Sequence, residues 1–73
     1  MTTVNIDFKT FTMTAEEWLN VKTLINTKRQ EKAMRWWAVQ FEIPFAQAVG
    51  IINRIQIVLQ YGTDEQKSAI ITE

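Results

Sequence analysis

Apolar and polar residues alternate with a period of two at the start of the chain. Val4, Ile6 and Phe8 fall on one side of residues 4–8, and Asn5 and Asp7 fall on the other. With β-branched and aromatic residues on the apolar side, this period predicts a short, half-buried strand. A lone strand is not stable, so we expect it to pair within the chain or across a homodimer.

Helical periodicity replaces this alternation after Met13. Thr14 and Glu17 have the spacing of a capping box, and Met13 and Trp18 have that of a hydrophobic staple. The expected inward positions of this helix are Trp18, Val21, Leu24 and Ile25. Residues 26–30 are all polar, and we favour a turn there over one long helix that continues to the end of the next apolar stretch.

Residues 31–53 predict a helical hairpin around which the rest of the chain closes. Its first helix covers about residues 30–41, and its second covers about 44–54, with Pro44 in the first turn. Gly50 would allow the close approach of a neighbouring backbone. The residues expected to face inward are Ala33, Met34, Trp37 and Phe41 on the first helix and Phe45, Ala48, Val49 and Ile52 on the second.

Residues 55–61 fit two structures. Their alternation predicts a strand that would pair with residues 4–8. The alternating apolar positions are Ile55, Ile57, Leu59 and Tyr61. The same residues could instead continue the second helix of the hairpin through Leu59. We favour the strand, or a helix end followed by a strand, and Gly62 ends the segment in either case.

A last short helix is predicted after Gly62. Thr63 and Gln66 repeat the capping-box spacing, and Ala69 and Ile70 are expected to face inward. Seventy-three residues leave room for one domain at most. We therefore expect a single, mostly helical α+β domain, with three to four short helices around the hairpin and one N-terminal strand.

The amino-acid composition excludes several kinds of functional site. The chain contains neither cysteine nor histidine, which excludes disulfides and zinc sites of the usual type. Eight basic residues balance eight acidic ones, so net charge provides no general attraction to nucleic acid or to an anionic membrane. No apolar run is long enough to span a membrane, and the first residues lack the layout of a signal peptide. We expect a cytoplasmic protein.

Residues with catalytic chemistry are scarce. Ser68 is the only serine, and no glycine-rich phosphate loop is present. The acidic pairs Glu16–Glu17 and Asp64–Glu65 lie at predicted helix starts, where capping and the helix dipole account for them. We therefore predict no enzyme activity, no catalytic residue, no cofactor and no metal site.

A resemblance to a known family concerns the predicted hairpin, in which residues 33–53 read AMRWWAVQFEIPFAQAVGIIN. With its flanks from residue 31 to residue 55, this stretch resembles the hairpin in the C-terminal domain of the bacterial large-subunit ribosomal stalk protein. The apolar positions match that family's pattern without a gap, and Leu59 and Gly62 continue the match. Residues 12–30 resemble an extra leading helix of short stalk-like proteins. The resemblance implies a helical hairpin and contacts with translation factors through basic residues.

The departures from this family concern the residues tied to its function. Residues 42–45, Glu-Ile-Pro-Phe, replace a corner that contains two glycines in the family. Of the family's basic contact positions only Arg35 keeps its charge, whereas Ala46 and Val49 stand where lysines would. The family's closing strand is also expected to be missing. The resemblance therefore implies the fold more than the stalk function.

The chain contains more apolar residues than one small core is expected to bury. Trp36 and Trp37 are adjacent, so one helix face cannot bury both, and Ile51 and Val58 lie off the main stripe of their helix. We predict a non-catalytic protein–protein interaction module that forms homodimers, such as a small accessory or viral modulator of a host complex. The predicted contact surface consists of Trp36, Val39, Ile51 and Tyr61, with Lys32 and Arg35 as a charged rim.

A basic cluster supports a second hypothesis. Five of the eight basic residues lie close together in sequence, and Trp36 beside them could stack on a base. A small ribosome- or nucleic-acid-associated factor would bind through Lys22, Lys28, Arg29, Lys32 and Arg35. The two hypotheses differ in salt dependence, because phosphate binding weakens steeply with salt and an apolar interface does not.

Overall fold

The computed structural model describes residues 1–72, and its first element is a β-hairpin. β1 (Thr2–Ile6) pairs antiparallel with β2 (Lys9–Met13). The strands are joined by Asp7 and Phe8, which have positive φ angles of 51° and 65°. Positive φ at both residues of a two-residue loop defines a type I′ turn, whose twist matches that of the flanking strands.

The predicted strand over residues 4–8 is therefore partly wrong. Phe8 lies in the turn and is fully exposed, instead of lying on the apolar side of the strand. The partner strand, β2, escaped prediction because the Asp7-Phe8 pair lacks the glycine that normally marks such a turn. A bulky side chain with positive φ is rare, so the sequence pattern did not indicate a hairpin.

A third strand completes the sheet. β3 (Ile71–Thr72) pairs antiparallel with β1, and the strand order is β2-β1-β3. This order corrects the prediction that the N-terminal strand pairs with residues 55–61, and it adds a C-terminal strand that was not predicted. Since β1 is the central strand, it needs no second copy of the chain to complete it.

Four helices lie between β2 and β3. Their bounds are α1 (Ala15–Asn26), α2 (Gln30–Gln40), α3 (Phe45–Tyr61) and α4 (Asp64–Ile70). Both predicted capping boxes are confirmed, since the hydroxyls of Thr14 and Thr63 accept backbone N–H groups at the starts of α1 and α4. The predicted turn between the first two helices is also confirmed, with Lys28 in the left-handed region at a φ of 62°.

α3 is one continuous helix of 17 residues, so the strand favoured over residues 55–61 is wrong. The apolar residues of that segment also fit helical spacing, because Ile55 and Leu59 are one turn apart and both pack on the core. The helix ends where the N–H of Gly62 donates to the carbonyl of Val58 at 2.9 Å. Seven alternating residues were too few to distinguish the two periods.

The first half of α3 departs from the prediction in three details. Pro44 lies directly before the first helical residue instead of inside the first turn. Gly50 is exposed, and a Cβ added to it would meet nothing within 4 Å, so no backbone approaches it closely. Ile51 was expected at the surface but is only 5% exposed. Ile6, at the end of β1, belongs to the same buried core cluster as Ile51, and both line one cavity beside α3.

The core lies between the buried face of the sheet and the helices. Trp18 and Trp37 are almost fully buried, and the Phe11 ring lies 5.1 Å from the Trp37 ring and 4.9 Å from the Phe41 ring, centroid to centroid. The buried apolar residues are Val4, Ile6, Phe11, Met13, Trp18, Val21, Ile25, Ala33, Met34, Trp37, Ala48, Ile51, Ile52 and Ile55. Two residues predicted to face inward are exposed, and both lie near helix ends, beyond the core: Phe45 and Ala69.

Candidate functional site

α3 has two halves with similar composition and different burial. Residues 45–55 contain all four buried residues of the helix. Residues 56–61 contain four apolar side chains and bury none, since Val58 and Leu59 are half-buried, Ile57 is 57% exposed and Tyr61 is 80% exposed. This end of α3 extends beyond the core and presents an apolar face that residues 1–72 do not cover.

α4 provides the second wall of a groove beside this end of α3. The groove has a volume of about 450 Å³, and we call it the C-terminal groove. Among residues 1–72, Arg54 supplies the only charged side chain in its lining. Its apolar lining residues are Ile57, Val58 and Tyr61 from α3, with Ala69 and Ile70 from α4.

The predicted contact residues do not form one surface. Ile51 is buried and is not available to a partner. Tyr61 lines the C-terminal groove, whereas Trp36 lines a separate cavity of about 320 Å³ beside α1, with Val21 and Leu24. The two cavities share no lining residue. The predicted surface is therefore divided between α2 and the end of α3.

The outer face of α2 brings together the other predicted residues. Lys32, Arg35, Trp36 and Val39 have the spacing of neighbours on one helix face. The Arg35 guanidinium forms an exposed ion pair with Glu31, at an N–O distance of 2.6 Å. Exposed pairs of this kind contribute about 0.3–0.5 kcal/mol. Val39 is 80% exposed, and it is the most exposed apolar side chain of this face.

Trp36 is half-buried because its ring belongs to an aromatic cluster. It packs edge-on against Trp37 at a centroid distance of 6.1 Å and against Phe41 at 5.9 Å. Phe41 in turn contacts Phe11 of β2. The cluster links the surface of α2 to β2, so Trp36 and Phe41 are anchored in the core and keep one side at the surface.

The predicted basic cluster is also divided. The Nζ of Lys22 lies over the Trp18 ring, 5.7 Å from its centroid, and Lys22 lines a cavity beside α4. The other members lie in the α1–α2 turn and on α2: Lys28, Arg29, Lys32 and Arg35. No feature of their arrangement favours nucleic-acid binding over a solvated surface, and that hypothesis stays a prediction.

The acidic pairs lie where the capping interpretation predicts. Glu16 and Glu17 are in the first turn of α1, and Asp64 and Glu65 are in the first turn of α4. Across residues 1–72, no group of three or more His, Cys, Asp and Glu is placed to hold a metal ion. None of the helices in that range is long and apolar enough to cross a membrane.

Two surface features were missed by the sequence interpretation. The first is the face that Ile57 shares with Tyr61, one turn apart in α3, which the strand prediction for residues 55–61 concealed. A helical interpretation of the same residues would have found it. The second is the outer edge of β2, which could not be anticipated because β2 itself was not predicted.

No protein-family model, no curated protein and no solved structure matches this chain. Any function assigned to the C-terminal groove therefore rests on burial, spacing and charge within this chain.

Proposed function

We propose that the protein is a non-catalytic protein-interaction module that self-associates and binds an apolar segment of a second protein in the C-terminal groove. One observation carries this proposal: residues 56–61 of α3 contain four apolar side chains and bury none of them. Three of them, Ile57, Val58 and Tyr61, line the groove together, and contiguous apolar surface of this kind is typical of protein-binding sites. Tyr61, with its large ring at the surface, is the kind of anchor on which such interfaces depend.

The geometry of the groove fits an amphipathic helix. Its walls are two helices, and Ile57 and Tyr61 are one turn apart, the spacing with which the side chains of a third helix interdigitate. Arg54 lies on the same face of α3, one turn before Ile57, and is exposed. A partner helix with a carboxylate beside its apolar stripe would form a charge-assisted hydrogen bond with Arg54.

The resemblance to the ribosomal stalk hairpin supports the same class of function. α2 and α3 form a helical hairpin over the stretch that carries the resemblance, residues 31–55. We also propose a role as a small accessory or viral modulator of a host complex, in the cytoplasm, which suits the small size of the chain and its lack of cysteine. Salt-insensitive binding would separate this function from a nucleic-acid factor.

A library of displayed amphipathic helices tests the groove directly. We expect the selected helices to carry apolar residues at helical spacing and an adjacent acidic residue. Their affinity for the protein should fall at least about tenfold with Ile57→Asp or Tyr61→Asp, because a charge placed in the apolar groove must be desolvated on binding. Isothermal titration calorimetry measures this change.

Val39→Asp is the matched control. It introduces the same charge at an apolar side chain that is as exposed as Tyr61, at 80%, but that lies on α2. The selected helices should bind this variant as tightly as the wild type. Equal losses with Val39→Asp and Tyr61→Asp, or no loss with either, would show that the C-terminal groove is not the binding site.

A further inference from the structure

The outer edge of β2 is an unpaired sheet edge. In the order β2-β1-β3, β2 has a neighbour on one side only. The two-residue turn makes Ile6 and Lys9 a hydrogen-bonded pair. From there along the hairpin, non-hydrogen-bonded and hydrogen-bonded pairs alternate. Thr10 and Thr12 are then in non-hydrogen-bonded pairs with β1, and their backbone N–H and C=O groups point away from it.

These backbone groups have no other partner among residues 1–72. Neither Thr10 nor Thr12 takes part in a backbone hydrogen bond outside the β1–β2 pairing. The only side-chain hydrogen bond here joins the Thr10 hydroxyl to the Asn5 amide oxygen on the solvent face of the sheet, at 2.9 Å. Two donors and two acceptors therefore line the edge without a protein partner.

The edge also lacks the features with which monomeric proteins block strand addition. β2 contains no proline, and all five of its residues pair in register with β1, so it has no bulge. Its only charged residue is Lys9, next to the turn, and the Lys9 ammonium donates to the Gln47 side chain on α3. Residues 10–13 carry no charge to repel another strand.

We propose that two copies of the chain pair along β2, antiparallel about a twofold axis at Phe11, and so form a continuous sheet of both copies. This inference rests on the self-association in the proposed function and assigns its surface. Thr10 lies opposite the partner's Thr12, and both form hydrogen-bonded pairs, which satisfies all the free edge groups of both copies. Lys9 lies opposite the partner's Met13, so like charges do not meet.

This register is the only one in which Thr10 and Thr12 both form hydrogen-bonded pairs with residues of the partner's β2. A shift that centres the axis on Thr12 places Thr10 opposite the partner's Thr14, whose N–H already donates to the Glu17 carboxylate. A shift that centres the axis on Thr10 places Thr12 opposite the partner's Phe8, which lies in the turn. The sequence Thr10-Phe11-Thr12 is self-complementary about its centre, and this symmetry is what a twofold interface between identical strands requires.

The apolar side of the sheet adds a second contribution. Phe11 lies opposite the partner's Phe11 as a non-hydrogen-bonded pair, and its ring is already buried in the core of its own copy. Phe41 and Trp36 extend the aromatic cluster outward from Phe11, and both are only half-buried in a single copy. A second copy beside β2 covers this half-exposed cluster.

Charge variants at the edge test the pairing and its register. Light scattering over a wide range of concentration should give the wild type a mass of twice 8.5 kDa. The double variant Thr10→Lys/Thr12→Lys should be monomeric, because each new lysine lies opposite another one. The double variant Thr10→Glu/Thr12→Glu should be monomeric for the same reason. An equimolar mixture of the two variants should recover the dimer, since lysines then face glutamates.

The double variant Asn53→Lys/Gln60→Lys is the control for added charge. It places the same two charges at exposed positions of α3, away from the sheet, and should remain dimeric. A wild type that is monomeric throughout would overturn both the self-association and the edge pairing. If both charge variants remain dimeric, or if their mixture does not form a dimer, the edge pairing is overturned. Self-association itself would still be supported by the dimeric wild type.

Amide hydrogen exchange provides an independent measurement on the unmodified protein. In the dimer the N–H groups of Thr10 and Thr12 are bonded to the partner, so their exchange should slow at least about tenfold as protein concentration rises. The N–H of Phe11, which donates within the hairpin, serves as the internal reference. Concentration-independent exchange at Thr10 and Thr12 in a sample shown to be dimeric would place the interface elsewhere.

Discussion

The two halves of α3 contain similar side chains and play different parts in the structure. Ala48, Ile52 and Ile55 of the first half are fully buried, because the sheet and α2 pack against it. Ile57 and Tyr61 of the second half are exposed, because only the seven-residue α4 lies beside them. Burial is thus decided by the elements that cover a side chain as much as by its hydrophobicity, and the second half is free to contact another protein.

The largest effect is expected to be the difference in stability loss between substitutions of Ile55 and Ile57. Ile55→Ala should lower the free energy of unfolding by about 2–5 kcal/mol, because it leaves a cavity in a fully packed site. Ile57→Ala should lower it by less than about 1 kcal/mol, since more than half of its surface is already in water. Urea denaturation of both variants measures the difference. Equal losses would mean that the two halves of α3 do not differ in packing.

At the end of the second half, Gly62→Ala should destabilise the protein by about 1–3 kcal/mol. A Cβ at this position would overlap with the backbone carbonyl oxygen of Val58, and backbone must move to relieve the overlap. The thermal unfolding midpoint should fall accordingly. An unchanged midpoint would indicate that the junction between α3 and α4 adjusts freely, and the C-terminal groove would then lack a fixed shape.

The second wall of the groove can be weakened without substituting a residue of its lining. Thr63→Ala removes the hydroxyl that caps α4 and should cost about 1 kcal/mol. Because α4 has only seven residues, we expect it to fray and the affinity for groove-binding helices to fall. Thr14→Ala removes the matching cap of α1 at a similar cost, and titration calorimetry should show unchanged affinity. A loss of affinity with both variants would point to general destabilisation instead.

The smallest effect is a gain in stability in the first half of α3. Gly50→Ala should raise the free energy of unfolding by about 0.5–1 kcal/mol, because alanine reduces the conformational entropy of the unfolded chain. The added methyl group would meet nothing within 4 Å. Denaturant titration would detect the gain as a higher midpoint. A loss would show that the exposed side of this half contacts another element.

The parts of the fold that depend on neighbours in sequence were predictable. Both capping boxes, the turn after α1 and the buried faces of α1 and α2 depend on residues three or four positions apart, and the structure confirms them. The hairpin was missed because its turn uses Asp7 and Phe8, which carry no glycine signal. The length of α3 was missed because residues 55–61 fit both the strand period of two and the helical period. Packing against α4 and the sheet favours the helix over the strand.

The candidate site was predictable only in part. Tyr61 was predicted at the surface because the chain has more apolar residues than one small core can bury, and it is exposed. Ile51 was placed wrongly, because its helix stripe alone does not show that it joins the buried core cluster with residues of the sheet. The outward direction of the backbone groups of Thr10 and Thr12 depends on strand register, which no periodicity of side chains reports.

The pairing of β3 with β1 has a consequence for the motions of the folded chain. Thr3 pairs with Thr72 across almost the whole sequence, whereas Val4 is bonded within a hairpin of close sequence neighbours. Joining distant segments requires more loop-closure entropy, and a two-residue strand gives few contacts in return. We expect β3 to detach far more often than the hairpin opens, so the amide of Thr3 should exchange with solvent faster than that of Val4. The chain would then spend brief intervals in which Ile71 and Thr72 are detached and β1 has β2 as its one neighbouring strand among residues 1–72.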